Sequence, residues 1–212
     1  MFELVSYFSK TRVRNLREYQ QQLLLALVLL LGVYACQSFA MSDSGPNQQF
    51  VGDNLWLGVS EHFQTQQLPA FTASLDRPAI QKQISWLKRN SNYLYNVTRR
   101  SEPYAHFIVT KCLERGLPVE LALLPIVESA YDAYAYSPGR AAGLWQFVPS
   151  TGKHFGLEQN WWYDGRRDPV ASTEAALDYL ESLHSRFDNW LLAMAAYNAG
   201  PARVSRAIKK NK

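Results

Sequence analysis

"RDPVASTEAALDYLESLHSRF", residues 167–187, carries a clear helical periodicity. Ala176, Leu177, Leu180, Leu183, His184 and Phe187 recur at three- and four-residue spacings, so one face of a helix collects them. Asp168 suits the N-cap, where its short carboxylate accepts from the orphan N–H groups of the first turn. Pro169 suits the next position, where its missing N–H removes no bond. Immediately downstream, "NWLLAMAAYNAGP" (189–201) reads as an Ala-rich helix that Gly200 and Pro201 terminate. The final "ARVSRAIKKNK" (202–212) begins another helix, with Val204, Ala207 and Ile208 inward.

The same spacing recurs upstream. Ile80, Ile84, Leu87 and Leu94 share one face; Ala105, Ile108, Val109 and Cys112 share another, ended by Gly116. Pro118 fits the first turn of a further helix, which continues through "LALLPIVESAYD" (121–132) and is expected to kink at Pro125. Strand signals are nearly absent, and neither a repeat nor a low-complexity tract interrupts the pattern. The fold class expected is therefore all-α.

The chain has 212 residues, 47% of them hydrophobic and 19% charged, which excludes a disordered chain and allows one good core plus accessory segments. Its net charge of +4 is partly local. Lys10, Arg12, Arg14 and Arg17 lie in the first 35 residues against Glu3 and Glu18, which leaves 18 basic and 16 acidic residues beyond. With no basic run in the body of the chain, nucleic acid is not an expected partner.

The N-terminus has the layout of an export signal. In "KTRVRNLREYQQQLLLALVLLLGVYAC" (10–36), a basic region precedes an apolar run from Leu23 to Val33, too short for a comfortable bilayer span. Ala35-Cys36 resembles a lipobox, in which Cys36 becomes lipid-modified; cleavage after Ala40 and retention as an uncleaved anchor are the alternatives. Gln37, following the cysteine, points by the same resemblance to the outer membrane of a Gram-negative cell. The expected boundaries are a signal over 1–35, a linker over 36–75, a helical lead-in over 76–116 and a catalytic domain over 117–212. Cys112 is the second of only two cysteines, so no disulfide framework is expected.

Three segments carry candidate chemistry. Glu128 ends an apolar run, where seven of eight residues from Leu121 are apolar. A solvated carboxylate is the ordinary reading of a glutamate at a helix end. Apolar neighbours Ile126, Val127 and Ala130 favour instead a carboxyl with a raised pKa, fit for general acid work near neutral pH. In "SPGRAAGLWQFVPSTGKHFGL" (137–157), Gly139, Ala141, Ala142 and Gly143 would let a ligand approach the backbone closely. Gln146, if buried, needs a partner: a sugar hydroxyl, an N-acetyl group or a neighbouring carbonyl. Trp145, Trp161 and Trp162 are able to stack on pyranose rings, but at least two of the three are expected in the core. Tyr197 and Asn198 close the Ala-rich helix, either as a presented polar pair or as a simple helix cap.

Taken together, "ESAYDAYAYS" (128–137), "GLWQF" (143–147) and "AYNAG" (196–200) resemble the signature of the family 1 lytic transglycosylases, whose catalytic domain is similar to goose-type lysozyme. The resemblance is strongest to the membrane-bound lytic murein transglycosylase D group and covers roughly residues 76–210. It implies cleavage of the β-1,4 bond between N-acetylmuramic acid and N-acetylglucosamine in peptidoglycan, with formation of a 1,6-anhydromuramyl end. It implies Glu128 as acid and then base, with Ser129, Gln146, Tyr197 and Asn198 lining the subsites or orienting Glu128 and the N-acetyl group. Gly143 joins them through its small-residue loop. No metal or organic cofactor is implied. The expected partners are peptidoglycan glycan strands and a membrane, and the expected location is the periplasm, on the outer membrane as a lipoprotein. Members of the family continue past "AYNAG" through further helices, so an incomplete domain is expected here. The alternatives are a hydrolytic muramidase, with the same acid and an activated water, and an inactive peptidoglycan-binding fragment. Asp132 has nothing to position it as a second carboxylate, because "YDAYAYSPG" (131–139) reads as a loop.

Overall fold

The structure is a computed structural model that describes residues 78–210; the signal segment, Cys36 and the linker to residue 75 lie outside the described residues. Among the described residues, eight α-helices run in chain order: α1 Pro78–Arg89, α2 Ser91–Ser101, α3 Ala105–Glu114, α4 Leu124–Ser129, α5 Pro149–His154, α6 Pro169–Phe187, α7 Trp190–Ala199 and α8 Pro201–Lys210. Short 3-10 turns at Val119–Leu123 and Gly165–Arg167 lead into α4 and α6. Among the described residues, β-structure amounts to three isolated bridges, Tyr136 with Ala142, Ala142 with Phe147 and Gln159 with Asp164. The all-α expectation holds.

α6 forms as its sequence dictates. Asp168 Oδ1 accepts from the backbone N–H groups of Val170 and Ala171, both at 2.9 Å, a cap worth about 1 kcal/mol. Leu177 and Leu180 are fully buried and Leu183 nearly so, whereas His184 and Phe187 sit half-buried at the end of the stripe. Asp188 turns the chain at φ 47°, and Asn189 then caps α7 by accepting from Leu192 N–H at 3.0 Å. Ala193 and Ala196 are wholly buried. Their small side chains let α7 lie close against α6, so the residues at the end of α7 take a fixed position.

The main core joins Ile108 and Cys112 of α3, Leu121 and Leu123 of the 3-10 turn, Ile126 of α4, Leu144 and Trp145 of the following loop, and Leu177 and Leu180 of α6. Each fully buried aliphatic side chain contributes about 1.5–3 kcal/mol. Leu87 and Leu94 form a separate small cluster with Ile84, Trp86 and Tyr93. They lie on two helices, because the chain breaks at Asn90 between α1 and α2.

The expected single kinked helix through Pro125 does not form. A 3-10 turn ends at Leu123, and a new helix starts at Leu124 with Pro125 in its first turn. The cause is the proline itself, which supplies no N–H to a carbonyl one turn back but fits a helix start. Pro118 likewise stands just before the 3-10 turn, at ψ 127°, rather than inside it. The tryptophan expectation is also corrected. Trp145 is fully buried, but Trp161 is 87% exposed and Trp162 70% exposed, since both stand on a turn between Gln159 and Asp164.

Candidate active site

The short α4 delivers Glu128. Leu124, Pro125 and Ile126 are buried in the core, so the helix is anchored by its first turn and only its last turn nears the surface. Ala130 and Tyr131 then both adopt left-handed backbone, at φ 54° and 57°. Such conformations cost roughly 1–2 kcal/mol per residue. The buried Tyr131 side chain holds them, its hydroxyl donating to the Ala122 carbonyl at 2.6 Å. The chain therefore leaves the helix abruptly, and Glu128 stays half-buried at a fixed end.

Desolvation pushes the Glu128 carboxyl up from 4.5 to about 7; the side-chain amide of Asn198 hydrogen-bonds to it and works in the opposite direction. The Tyr197 phenol is buried deeply enough that its pKa rises well above 10, and the nearby Glu128 charge reinforces this. Tyr197 is thus a neutral donor, and its hydroxyl donates a hydrogen bond to the Trp145 carbonyl at 2.8 Å. Ser129 is buried and donates to the Leu144 carbonyl at 2.9 Å and to Pro125 at 3.2 Å. Gln146, at φ 49°, donates through Nε2 to the carbonyls of Gly143 at 2.9 Å and Ala135 at 3.4 Å. Of the alternatives open for its amide, backbone carbonyls occupy this nitrogen.

The loop carrying Gln146 is braced from behind. Gly143 has φ 81°, and a Cβ there would stand 1.8 Å from the Arg166 carbonyl. The glycine is needed for the protein's own backbone to close at this point. The buried Arg166 guanidinium donates from Nη1 to the carbonyls of Arg140 at 2.7 Å and Phe147 at 3.1 Å. Its Nε and Nη2 grip Asp164 at 2.8 and 2.7 Å, and these bonds hold the Asp164 carboxyl below its ordinary range. Trp145 Nε1 donates to Thr173 Oγ1 at 3.0 Å, which ties the loop to α6.

α4, the loop and α7 therefore meet at one place. Glu128 and Asn198 touch, while Ser129, Gln146 and Tyr197 bond to the surrounding backbone rather than to one another. Asp132 is not a partner of comparable kind: its Oδ1 accepts from Tyr134 N–H at 2.9 Å within a turn.

The sequence profile of the transglycosylase SLT domain matches residues 106–212, a span that contains the whole of this cluster. The chain belongs to the transglycosylase SLT domain family. It is 47% identical over 174 residues, 82% of its length, to membrane-bound lytic murein transglycosylase D of Escherichia coli (strain K12), of which it spans 35%. It is 34% identical over 82 residues, 36% of its length, to the soluble lytic murein transglycosylase of Salmonella typhimurium (strain LT2), of which it spans 13%. The chain thus covers about a third of the first relative's length.

Within this SLT domain, Arg166, Asp164 and Thr173 are the residues that sequence reading missed. "YDGRRD" (163–168) sets two arginines side by side, and nothing in the pattern marks Arg166 as buried and Arg167 as exposed. The signal available was indirect: a buried loop of small residues needs donors for its carbonyls.

Proposed function

We propose that the chain is a lytic transglycosylase that cleaves the β-1,4 bond between N-acetylmuramic acid and N-acetylglucosamine in peptidoglycan, leaving a 1,6-anhydromuramyl end. The observation that carries this reading is the position of Glu128, at the end of α4 where the Gln146 loop and α7 meet, in surroundings whose desolvation pushes its carboxyl up to about 7 so that both acid and base forms are accessible at neutral pH. In the first step protonated Glu128 gives its proton to the glycosidic oxygen as the bond from muramyl C1 breaks. The electron pair leaves with the N-acetylglucosamine oxygen. The carboxylate then takes the proton of the muramyl 6-hydroxyl, whose oxygen bonds to C1. Glu128 ends protonated as it began, and no water is consumed. Asn198 donates to the carboxylate in the half of the cycle where it is charged. Ser129, Tyr197 and Gln146 hold the frame, with Gly143 at the back of the loop that lines the glycan. One carboxylate suffices because the substrate's own hydroxyl replaces the second group of most glycosidases.

The names of the relatives support the murein substrate, and the "membrane-bound" of one supports attachment. We place the protein in the periplasm, held at the membrane through lipid on Cys36. Palmitate labelling that survives Cys36→Ala would overturn this anchor. The activity is tested by mass spectrometry of digested peptidoglycan. Anhydromuropeptides are expected; reducing ends without anhydro species would make the enzyme a hydrolase. Glu128→Gln should abolish turnover, a loss of at least about 10²–10⁴-fold, while sugar binding persists.

A further inference from the structure

The exposed pair Trp161-Trp162 has no part in the chemistry above. Indoles are large apolar groups that folding ordinarily removes from water, yet these two are 87% and 70% exposed. They are not on a slack loop. Gly165 N–H donates to the Glu158 carbonyl at 2.8 Å and Asn160 N–H to the Tyr163 carbonyl at 2.9 Å, closing the turn as a narrow ribbon. Inside it, Asn160 Oδ1 accepts from the N–H groups of Trp162 at 3.1 Å and Tyr163 at 2.8 Å. Asn160 Nδ2 donates to Glu158 at 2.7 Å, and Gln159 Nε2 donates to the Pro149 carbonyl at 3.0 Å. The two rings meet edge to face, their centroids 4.5 Å apart and their planes at 78°.

We propose that Trp161 and Trp162 form a carbohydrate-binding platform, stacking on sugar rings of the glycan strand beyond the disaccharide that is cut. The proposal rests on the peptidoglycan reading above and extends its site. The C–H-bearing faces of β-1,4-linked N-acetylhexosamines are apolar while their rims are polar. An exposed indole matches both, with a flat face and a donating N–H. A polymeric substrate offers such faces well past the scissile bond.

Position also favours this ligand. The base of the turn is Asp164, which grips Arg166, and Arg166 in turn holds the carbonyls of Arg140 and Phe147 on either side of the Gln146 loop. Arg167 lies over the Tyr136 ring at 5.6 Å, a second tie to the segment that follows Glu128. The platform is thus joined through one buried arginine to the loop that shapes the cleavage site. Because the backbone of the turn is already ordered by these bonds, binding costs little further backbone entropy.

The test uses the full chain carrying Glu128→Gln, so that ligand is bound and not cut. The probes are the soluble β-1,4-linked hexamer of N-acetylglucosamine and purified peptidoglycan sacculi. The expected result is that Trp161→Ala/Trp162→Ala weakens binding of both probes about tenfold, equal to about 1.4 kcal/mol. Trp161→Tyr/Trp162→Tyr should keep most of the affinity, which separates stacking from a disturbed turn. Undiminished binding by the double alanine variant would overturn the platform. So would loss of vesicle binding or of self-association in that variant, since either would assign the indoles to a lipid surface or to a second copy of the chain. The product assay on the unmodified enzyme stands apart. Absence of anhydro products there sinks the transglycosylase reading, while hexamer binding in the Glu128→Gln background still reports on the indoles.

Discussion

Glu128 is held in a protein environment that resists its ionisation, and this has a consequence for stability as well as for the acid–base cycle proposed above. Its folded pKa of about 7 lies above the ordinary 4.5. Between those values the folded chain binds more protons than the unfolded one, so stability falls as pH rises through that window. The cost is complete above pH 7 and amounts to at most about 3 kcal/mol. Glu128→Gln removes it, and the variant should gain stability over the parent between pH 5 and pH 8, read as a widening gap in melting temperature. Equal gaps at both pH values would show that burial does not disfavour the charge. In the parent the rate should fall on the alkaline side with a midpoint near 7, because the proposed first step needs the protonated acid. Asn198→Ala removes a donor that stabilises the carboxylate; its alkaline limb should move to higher pH, with a lower maximum. The carboxylate was legible in the sequence, because an apolar run into a glutamate signals desolvation. Its partnership with Asn198 was not derivable from local pattern, since the two stand seventy residues apart and meet only when α7 packs on α6.

At the scale of elements, periodicity and capping residues foretold most helices and missed what braces the loops. Asp168, Pro169 and Gly200 act locally, within a few residues of the backbone groups they affect, so they are visible in sequence. Pro125 showed its limit: the missing N–H was recognised, but a restarted helix satisfies it at less cost than a kink. The Gln146 loop depends on contacts with no local signature. Gly143→Ala would force a Cβ into the Arg166 carbonyl at a backbone angle that L-residues resist, with an expected loss on the order of 3 kcal/mol. Arg166→Met removes the guanidinium from Asp164, which keeps only the backbone N–H of residue 166, from the Phe147 carbonyl, which keeps the Ala142 N–H, and from the Arg140 carbonyl, and should cost about 3 kcal/mol. Urea denaturation monitored by Trp fluorescence checks both. A loss near zero for either would mean that the loop closes without this brace.

For the whole molecule, the division of apolar residues predicts how the chain opens. α1 packs principally on α2, and Leu87 belongs to the small cluster outside the main core. α3, α4 and α6 share one core in which Ile108, Ile126 and Leu177 are essentially inaccessible to water. Opening α1 exposes little of that core, so its amides should exchange through a partial unfolding that costs less than global unfolding. The joint with the rest is narrow: Val97 of α2 reaches the main core, and the Tyr93 hydroxyl donates to the Ile126 carbonyl at 3.4 Å. Leu87→Ala should therefore accelerate hydrogen exchange in α1 while the protection of α3, α6 and α7 stays near that of the parent. Leu177→Ala takes a fully buried side chain from the point where α6 meets α3, and should cost about 2–5 kcal/mol. Exchange in that variant should quicken in every helix by a similar factor, because the opening it favours is the global one. Hydrogen–deuterium exchange read by mass spectrometry at peptide resolution separates the two patterns. If Leu87→Ala quickened α6 as much as α1, then α1 and α2 would form one cooperative unit with α3 to α7, and Glu128 would owe its fixed position to all of them together.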